Sequence, residues 1–452
     1  MQLKRVLTLR TVVATSAGLT LASSSFVAAV QVAGYMLGDT AWIAILSGGI
    51  LCFMAAACFS ELNGILPSAA GIRLYFGRAF NSQIALTVSL LYMLVVIIGV
   101  VGAESYVLAK VISEIFPGAR PFPWIVILLL LVTGMNVRGV KIAGGFQDVI
   151  TYSLIVSLIA FSLLAFNKVD FQLSAPLSPG GASGLINAIA LGVFLFVGFE
   201  WVTPLVEEVT QVKLISKGMM IALGILSVTY AAFTVAMTAV VPKETLVATA
   251  APQMVFARSV LGGAGAAWMV VVSLAASVTT FNAGIISVSR FMYASAREQV
   301  LPAIFSRLSI RFFTPWVSII TLFFIAVAVA GVTQITHNYL ILVELAAAME
   351  SIVYALVGLA VISLRRRMPD QPRPYWVKWG YAIPTLSIVV FTALAAALLA
   401  ADRMALFVLI IAFLVCLVYV NTAVPYLKKK HESRKRASKR RPSRVEGKSD
   451  GN

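Results

Sequence analysis

Twelve continuous apolar stretches, each about 17 to 30 residues long and bounded by charge or by Pro and Gly, limit what this chain can fold into. In hydrocarbon every backbone N–H and C=O must be satisfied within the protein, and a helix of about 20 residues does this while crossing a bilayer. The stretches cover residues 11–36, 41–63, 83–112, 122–138, 147–167, 184–208, 217–241, 266–296, 314–333, 338–363, 380–400 and 404–426. A transmembrane β-barrel would instead alternate apolar and polar residues in segments of about ten. With 60% apolar residues, 12% charged and a mean hydropathy of +0.95, the chain has too little polar surface to coat a water-soluble domain. The first stretch is too long for the apolar core of a signal peptide and reads as a span. Cys52, Cys58 and Cys416 all sit inside apolar stretches, so neither a disulfide framework nor a metal cluster is indicated. The expected fold is an all-α polytopic membrane protein with 12 transmembrane helices.

The net charge of +17 matters here through its position. Placing the amino terminus in the cytoplasm puts all but six of the 35 Lys and Arg residues on the cytoplasmic side, the exceptions being Lys110, Arg120, Lys168, Lys243, Arg258 and Arg403. One span more or fewer would destroy that bias, so both termini are expected inside, in the plasma membrane. The tail over 427–452 carries eleven Lys and Arg against three acids, and its composition predicts disorder. Such a segment beside a spanning helix serves as a topology anchor and is drawn to anionic lipid headgroups rather than to nucleic acid. The sequence leaves the oligomeric state open.

Spans 1 and 6 share an interruption. Gly18 to Phe26 reads GLTLASSSF, and Phe194 to Trp201 reads FLFVGFEW, so each apolar stretch is broken midway by small or polar residues. Broken helices at matching positions of two halves point to an inverted-repeat transporter with substrate held at the bilayer midplane. The first repeat would occupy 11–167 (spans 1–5) and the second 184–363 (spans 6–10). Residues 1–10 precede them, and spans 11 and 12 follow at 380–426. Close packing of small residues is the alternative reading of either stretch taken singly.

Four stretches carry a family resemblance: ASSSF at Ala22–Phe26, FVGFEWVTPLVEEVTQVKLISKGM at Phe196–Met219, TTFNAGIISVSRFMYASAREQVLP at Thr279–Pro302, and LRRRMPDQPRPYWV at Leu364–Val377. In this order and at these spacings the sequence resembles the amino acid/polyamine/organocation superfamily of permeases. The resemblance implies a LeuT-like five-plus-five inverted repeat plus two extra helices. It also implies amino acid transport by alternating access, with Phe194 as gate. The chain departs from the family pattern at Ala22 and Ser24, where glycines are usual, and at Val212 and Ser216, where prolines are. Span 5 carries no lysine, so the variant that replaces a sodium ion with an intramembrane lysine is not supported.

The chemistry of broken helices suggests how such a substrate would be held. Free N–H groups opening a half-helix suit a carboxylate, and exposed carbonyls closing one suit an ammonium. The backbone of Ala22, Ser23, Ser24 and Ser25 is accordingly assigned to the carboxylate. The carbonyls of Phe196, Val197 and Gly198 are assigned to the amine, with Phe194, Phe199 and Glu200 beside them. Glu104 and Glu350 interrupt strongly apolar runs and are candidates for proton coupling. Ser153 with Ser277, Thr279 and Thr280 is a hydroxyl set able to complete a sodium site with carbonyls of span 1, although hydroxyls in membrane helices also bond their own preceding carbonyls. Glu61 reads as interfacial, and Glu207 with Glu208 as a solvated pair balanced by Lys213 and Lys217. Nothing points to an enzyme, a cofactor or a bound metal, since there is no P-loop and no Ser/His/Asp set, and the two histidines, His337 and His431, lie at a span edge and in the tail. A polyamine or organic-cation permease of the same fold, with Glu104, Glu200 and Glu350 as its cation ligands, is the alternative. A nutrient sensor that does not transport is the alternative of another class.

Overall fold

The computed structural model describes residues 3–36, 40–116, 118–167, 181–249, 251–336 and 339–439; Lys168, His337 and the tail beyond Lys439 lie outside them. The helices are α1 (Leu9–Thr20), α2 (Ser23–Gly34), α3 (Ala41–Ile65), α4 (Ile72–Ala79), α5 (Ser82–Ile115), α6 (Pro121–Arg138), α7 (Val140–Phe166) and α8 (Gly181–Phe194). After α8 comes a 3-10 helix at Phe199–Glu207. Then follow α9 (Lys213–Val240), α10 (Lys243–Val247), α11 (Pro252–Arg297), α12 (Trp316–Thr336), α13 (Tyr339–Arg367), α14 (Ala382–Ala401) and α15 (Arg403–Lys439). Eleven segments are long and apolar enough to cross a membrane, and α1 with α2, bent by 59°, makes the twelfth. The twelve-span reading therefore holds, and the protein is a multi-pass membrane protein.

Two expectations about extent change. Span 8 continues a helix that starts at Pro252, joined at Gly262, whose φ of 61° marks a sharp turn. The basic tail stays helical as far as Lys439. Lys, Arg, Glu and Ala are good helix formers, and an existing helix supplies the costly first turn.

The broken spans sit at the centre of the bundle. α1 packs on α7, α9, α11 and the 3-10 helix, while α3 packs on α8 and α9. Backbones touch where α3 crosses α8: a Cβ on Gly48 would lie 2.6 Å from the Gly192 carbonyl carbon. With no hydrophobic force between helices in lipid, such close contact is what holds them.

Candidate functional site

The first break spans Leu21 and Ala22. Ala22 is extended (φ −84°, ψ 152°) and offers no side-chain cap, so the first amides of α2 need another acceptor. Glu104, fully buried on α5, supplies it: Oε1 accepts from the Ser23 amide and Oε2 from the Ser24 amide, both at 3.0 Å. The Ser277 hydroxyl donates to Oε1 at 2.5 Å, and the Ser23 hydroxyl donates to the Ser273 carbonyl at 2.8 Å. On the other side of the break, the Thr20 carbonyl accepts from Tyr230 at 2.5 Å and from the Ser25 hydroxyl at 2.9 Å. The amides expected to cradle a substrate carboxylate and the acid expected to carry a proton thus occupy one place. Nothing in the sequence placed α5 against α2, which is why reading residues alone kept them apart.

At the second break Gly198 takes φ +107°, where a Cβ would be strained and only 3.0 Å from Leu19. Pro204, which lacks an amide, sits within the 3-10 turn that follows. Phe194, at the end of α8, is half-buried. Phe196 is fully buried edge-on to Tyr230, with centroids 6.0 Å apart, and Val197 is buried beside it. Phe199 lies against Phe59 and Tyr354, and its carbonyl accepts from the Ser16 hydroxyl at 2.8 Å. Glu200 accepts from Tyr354 at 2.7 Å and from Tyr92. The same Tyr92 hydroxyl lies 2.9 and 3.1 Å from the two oxygens of Glu350. Trp201 stacks on the Tyr92 ring at 4.9 Å. Sequence reasoning missed Tyr92 and Tyr354, since a tyrosine in an apolar run gives no local signal. Leu19, Trp201 and Thr280, from the two breaks and α11, line a largely apolar cavity of about 50 Å³.

The expected hydroxyl set is only partly assembled. Thr279 and Thr280 face inward, Thr280 donating to the Gly18 carbonyl at 3.2 Å, but Ser153 is exposed on the outer side of α7. Two residues along a helix is a turn of about 200°, so Ser153 faces away when Thr151 faces in. Thr151 takes its place, 2.8 Å from Thr279 and 3.2 Å from the Ala14 carbonyl. Among these oxygens lies the Gln147 amide nitrogen, which the sequence reading passed over. It donates to Thr279, to Thr151 at 3.1 Å and to Ala14 at 3.3 Å, while Asn282 donates to its oxygen at 2.7 Å and fixes its orientation.

A family model described as "Amino acid permease" matches residues 7–425. The chain belongs to this family. Relatives include the methylthioribose transporter of Bacillus subtilis (strain 168), 24% identical over 390 residues, 82% of this chain and 83% of that one. The branched-chain amino acid permease BcaP of the same organism is 23% identical, over 77% and 78% of the two chains. The human large neutral amino acids transporter small subunit 2 is 25% identical, over 72% of this chain and 63% of its own. Among solved structures, a manganese transporter from Eremococcus coleocola superposes with a TM-score of 0.63 at 14% identity, over 92% and 94% of the two chains. A Na+-coupled sialic acid symporter gives 0.54 at 16%, over 87% and 90%. These two likenesses show the fold.

At one end of the permease, where the Arg-rich loops gather, the two broken spans are tied together. The amides of Val6 and Leu7 donate to the Glu208 carbonyl, and Leu7 bridges Val209. Glu208 is no solvated acid: it is buried and meets buried Arg290 at 2.7 and 3.3 Å. Glu207 pairs with Arg297, and the Lys213 and Lys217 partnership expected for both acids is absent among the described residues. Glu61 is likewise fully buried, held by Arg365 at 2.6 Å and Arg373 at 3.2 Å. Charges this deep persist only when paired, and α11, the end of α13 and the loop that follows α13 bring the partners.

Proposed function

We propose that this permease is a secondary transporter that carries small organic amines lacking a free carboxylate across the cell membrane by alternating access. The carrying observation is Glu104 on the amides of Ser23 and Ser24, the seat an α-amino acid's carboxylate would need. A second carboxylate about 5 Å from Glu104 would be repelled by about 3 kcal/mol at an effective dielectric of about 20, and an ammonium would be attracted by as much. That difference outweighs the loss of a half-helix dipole contact, which contributes about 1 kcal/mol. One relative is named for methylthioribose rather than for an amino acid, so the names of the family do not restrict its site to amino acids.

A second reading keeps amino acids as substrates, with Glu104 swinging away when a substrate carboxylate takes the amides. The amino acid names of two relatives favour it. The test is uptake into proteoliposomes of labelled 1,4-diaminobutane, 2-methylbutylamine, leucine and lysine, by wild type and Glu104→Gln. The first reading expects uptake of the amines, not of leucine, and its loss in Glu104→Gln. Leucine uptake that survives in Glu104→Gln would overturn it in favour of the second.

Sodium is not the coupling ion in this reading. The Gln147 amide already donates into the oxygens of Ala14, Thr151 and Thr279, an uncharged donor where a cation would need open lone pairs. Cytoplasmic termini are supported by the Lys/Arg bias, and a helical basic segment leaving the membrane at α15 suits contact with anionic headgroups.

A further inference from the structure

We propose that Glu350, Tyr92 and Glu200 hold one exchangeable proton, seated on Glu350 in this structure and passed to Glu200 through the Tyr92 hydroxyl, and that this proton drives transport. The inference deepens the transport reading and rests on it for the final step alone. Tyr92 has one hydroxyl proton, yet its oxygen lies within hydrogen-bond reach of both carboxyl groups. It can donate to one. The other must itself carry a proton and donate to the Tyr92 oxygen, or two lone pairs would face each other at 2.9 Å in a dry interior. Tyr354 donates directly to Glu200 at 2.7 Å, whereas the direct hydrogen bonds of Glu350, at 2.9 and 3.1 Å, both go to Tyr92 and the Tyr354 and Trp201 donors act on it from further off, so the extra proton belongs on Glu350.

The surroundings leave the pair no other compensation. Glu200 and Glu350 are 1% and 0% exposed, and none of the ion pairs among the described residues reaches either acid. The titratable groups facing them are Tyr92 from α5, Tyr354 from α13 and the Cys52 thiol from α3, with Trp201 stacked over Tyr92. All of these are neutral at physiological pH, so two ionised carboxylates would stand as uncompensated like charges, and sharing a proton removes one of them.

The relay conserves every atom: a proton leaves Glu350 for the Tyr92 oxygen as the Tyr92 proton moves to Glu200. Beside the receiving end lies a cavity of about 10 Å³, bordered by Gly71, Tyr92, Glu200 and Thr203, room for one water on the side of α4. Glu200 rides on the 3-10 helix of the broken span, whereas Glu350 belongs to the continuous α13. Movement of the broken span therefore makes and breaks the relay, which ties proton release to conformation.

The experiment is infrared spectroscopy of the full-length protein in liposomes near neutral pH, followed by transport. Wild type should show a protonated-carboxyl C=O band that Glu350→Gln removes, the amide still able to donate to Tyr92 and keep the fold. An unchanged band in Glu350→Gln, or no such band in wild type, overturns the proposal. If Glu350→Gln does not fold, Tyr92→Phe serves instead: the band should shift as the acid loses its acceptor, and an unshifted band overturns the assignment. In transport of 1,4-diaminobutane, Glu350→Gln should lose accumulation driven by a pH gradient while retaining exchange. Retained pH-driven accumulation overturns the coupling role. Absence of any uptake in wild type would count against the transport reading, while the infrared band still decides the proton's seat.

Discussion

Arg290 is among the largest fully buried side chains of the protein, and its guanidinium meets the Glu208 carboxylate in a forked pair. Removing one member of a buried pair leaves the other uncompensated, which costs about 3–5 kcal/mol, whereas replacing both by apolar residues of similar size is often neutral. Arg290→Ala should therefore sharply lower the thermal unfolding temperature in detergent, and Arg290→Met with Glu208→Leu should recover most of it. Equal stability of the single and double variants would show that the pair is not coupled. In the turn between α14 and α15, Asp402 caps α15. The amides of Ala405 and Met404, together with a hydrogen bond to Glu344, hold its carboxyl below the usual carboxylate range. A lowered value means that this cap contributes above the ordinary carboxylate range and is lost only as pH falls through the depressed one.

The two broken helices are set in different ways, the first by a partner from another helix and the second by a local turn. α2 has no local cap and takes one from α5; the 3-10 helix depends on the left-handed turn at Gly198. Gly198→Ala places a Cβ at φ +107° and 3.0 Å from Leu19, a strain of about 1–3 kcal/mol that would press the two breaks apart. Uptake should fall to background while size-exclusion profiles stay normal, and wild-type uptake would remove the second break from the site. The clamp formed by α1, α7 and α11 around Gln147 gives a second expectation. Replacing sodium by choline should leave transport unchanged, and a sodium-dependent rate would show that the amide yields its place to the ion.

The distribution of charge gives the orientation expected of the protein in its membrane. The loops after spans 2, 4, 6, 8 and 10 gather the Lys and Arg residues, and the ion pairs of Glu61, Glu207 and Glu208 lie at that end. Cysteines placed at exposed Arg120 and Arg403 should react with an impermeant thiol reagent added outside intact cells, and one at exposed Arg307 should react only after permeabilisation. The opposite pattern would invert the topology.

Span number, fold class and the location of both breaks were legible in the sequence because they depend on local quantities: hydropathy over about 20 residues, and the dip where Ala22 to Ser25 and Gly198 interrupt it. Membership of the permease family was legible for the same reason, since its motifs are short and sequential. What each intramembrane acid does was decided by tertiary structure alone. Glu104, Glu200 and Glu350 look alike as carboxylates in apolar runs, yet one caps the amides of α2 and the other two share a tyrosine. Ser153 and Thr151 differ by two positions, and only helix rotation against α1 and α11 makes one a lining residue and the other an outward one. In a bilayer a polar group must find its partner inside the protein, and that partner lies tens to hundreds of residues away, where local sequence carries no record of it.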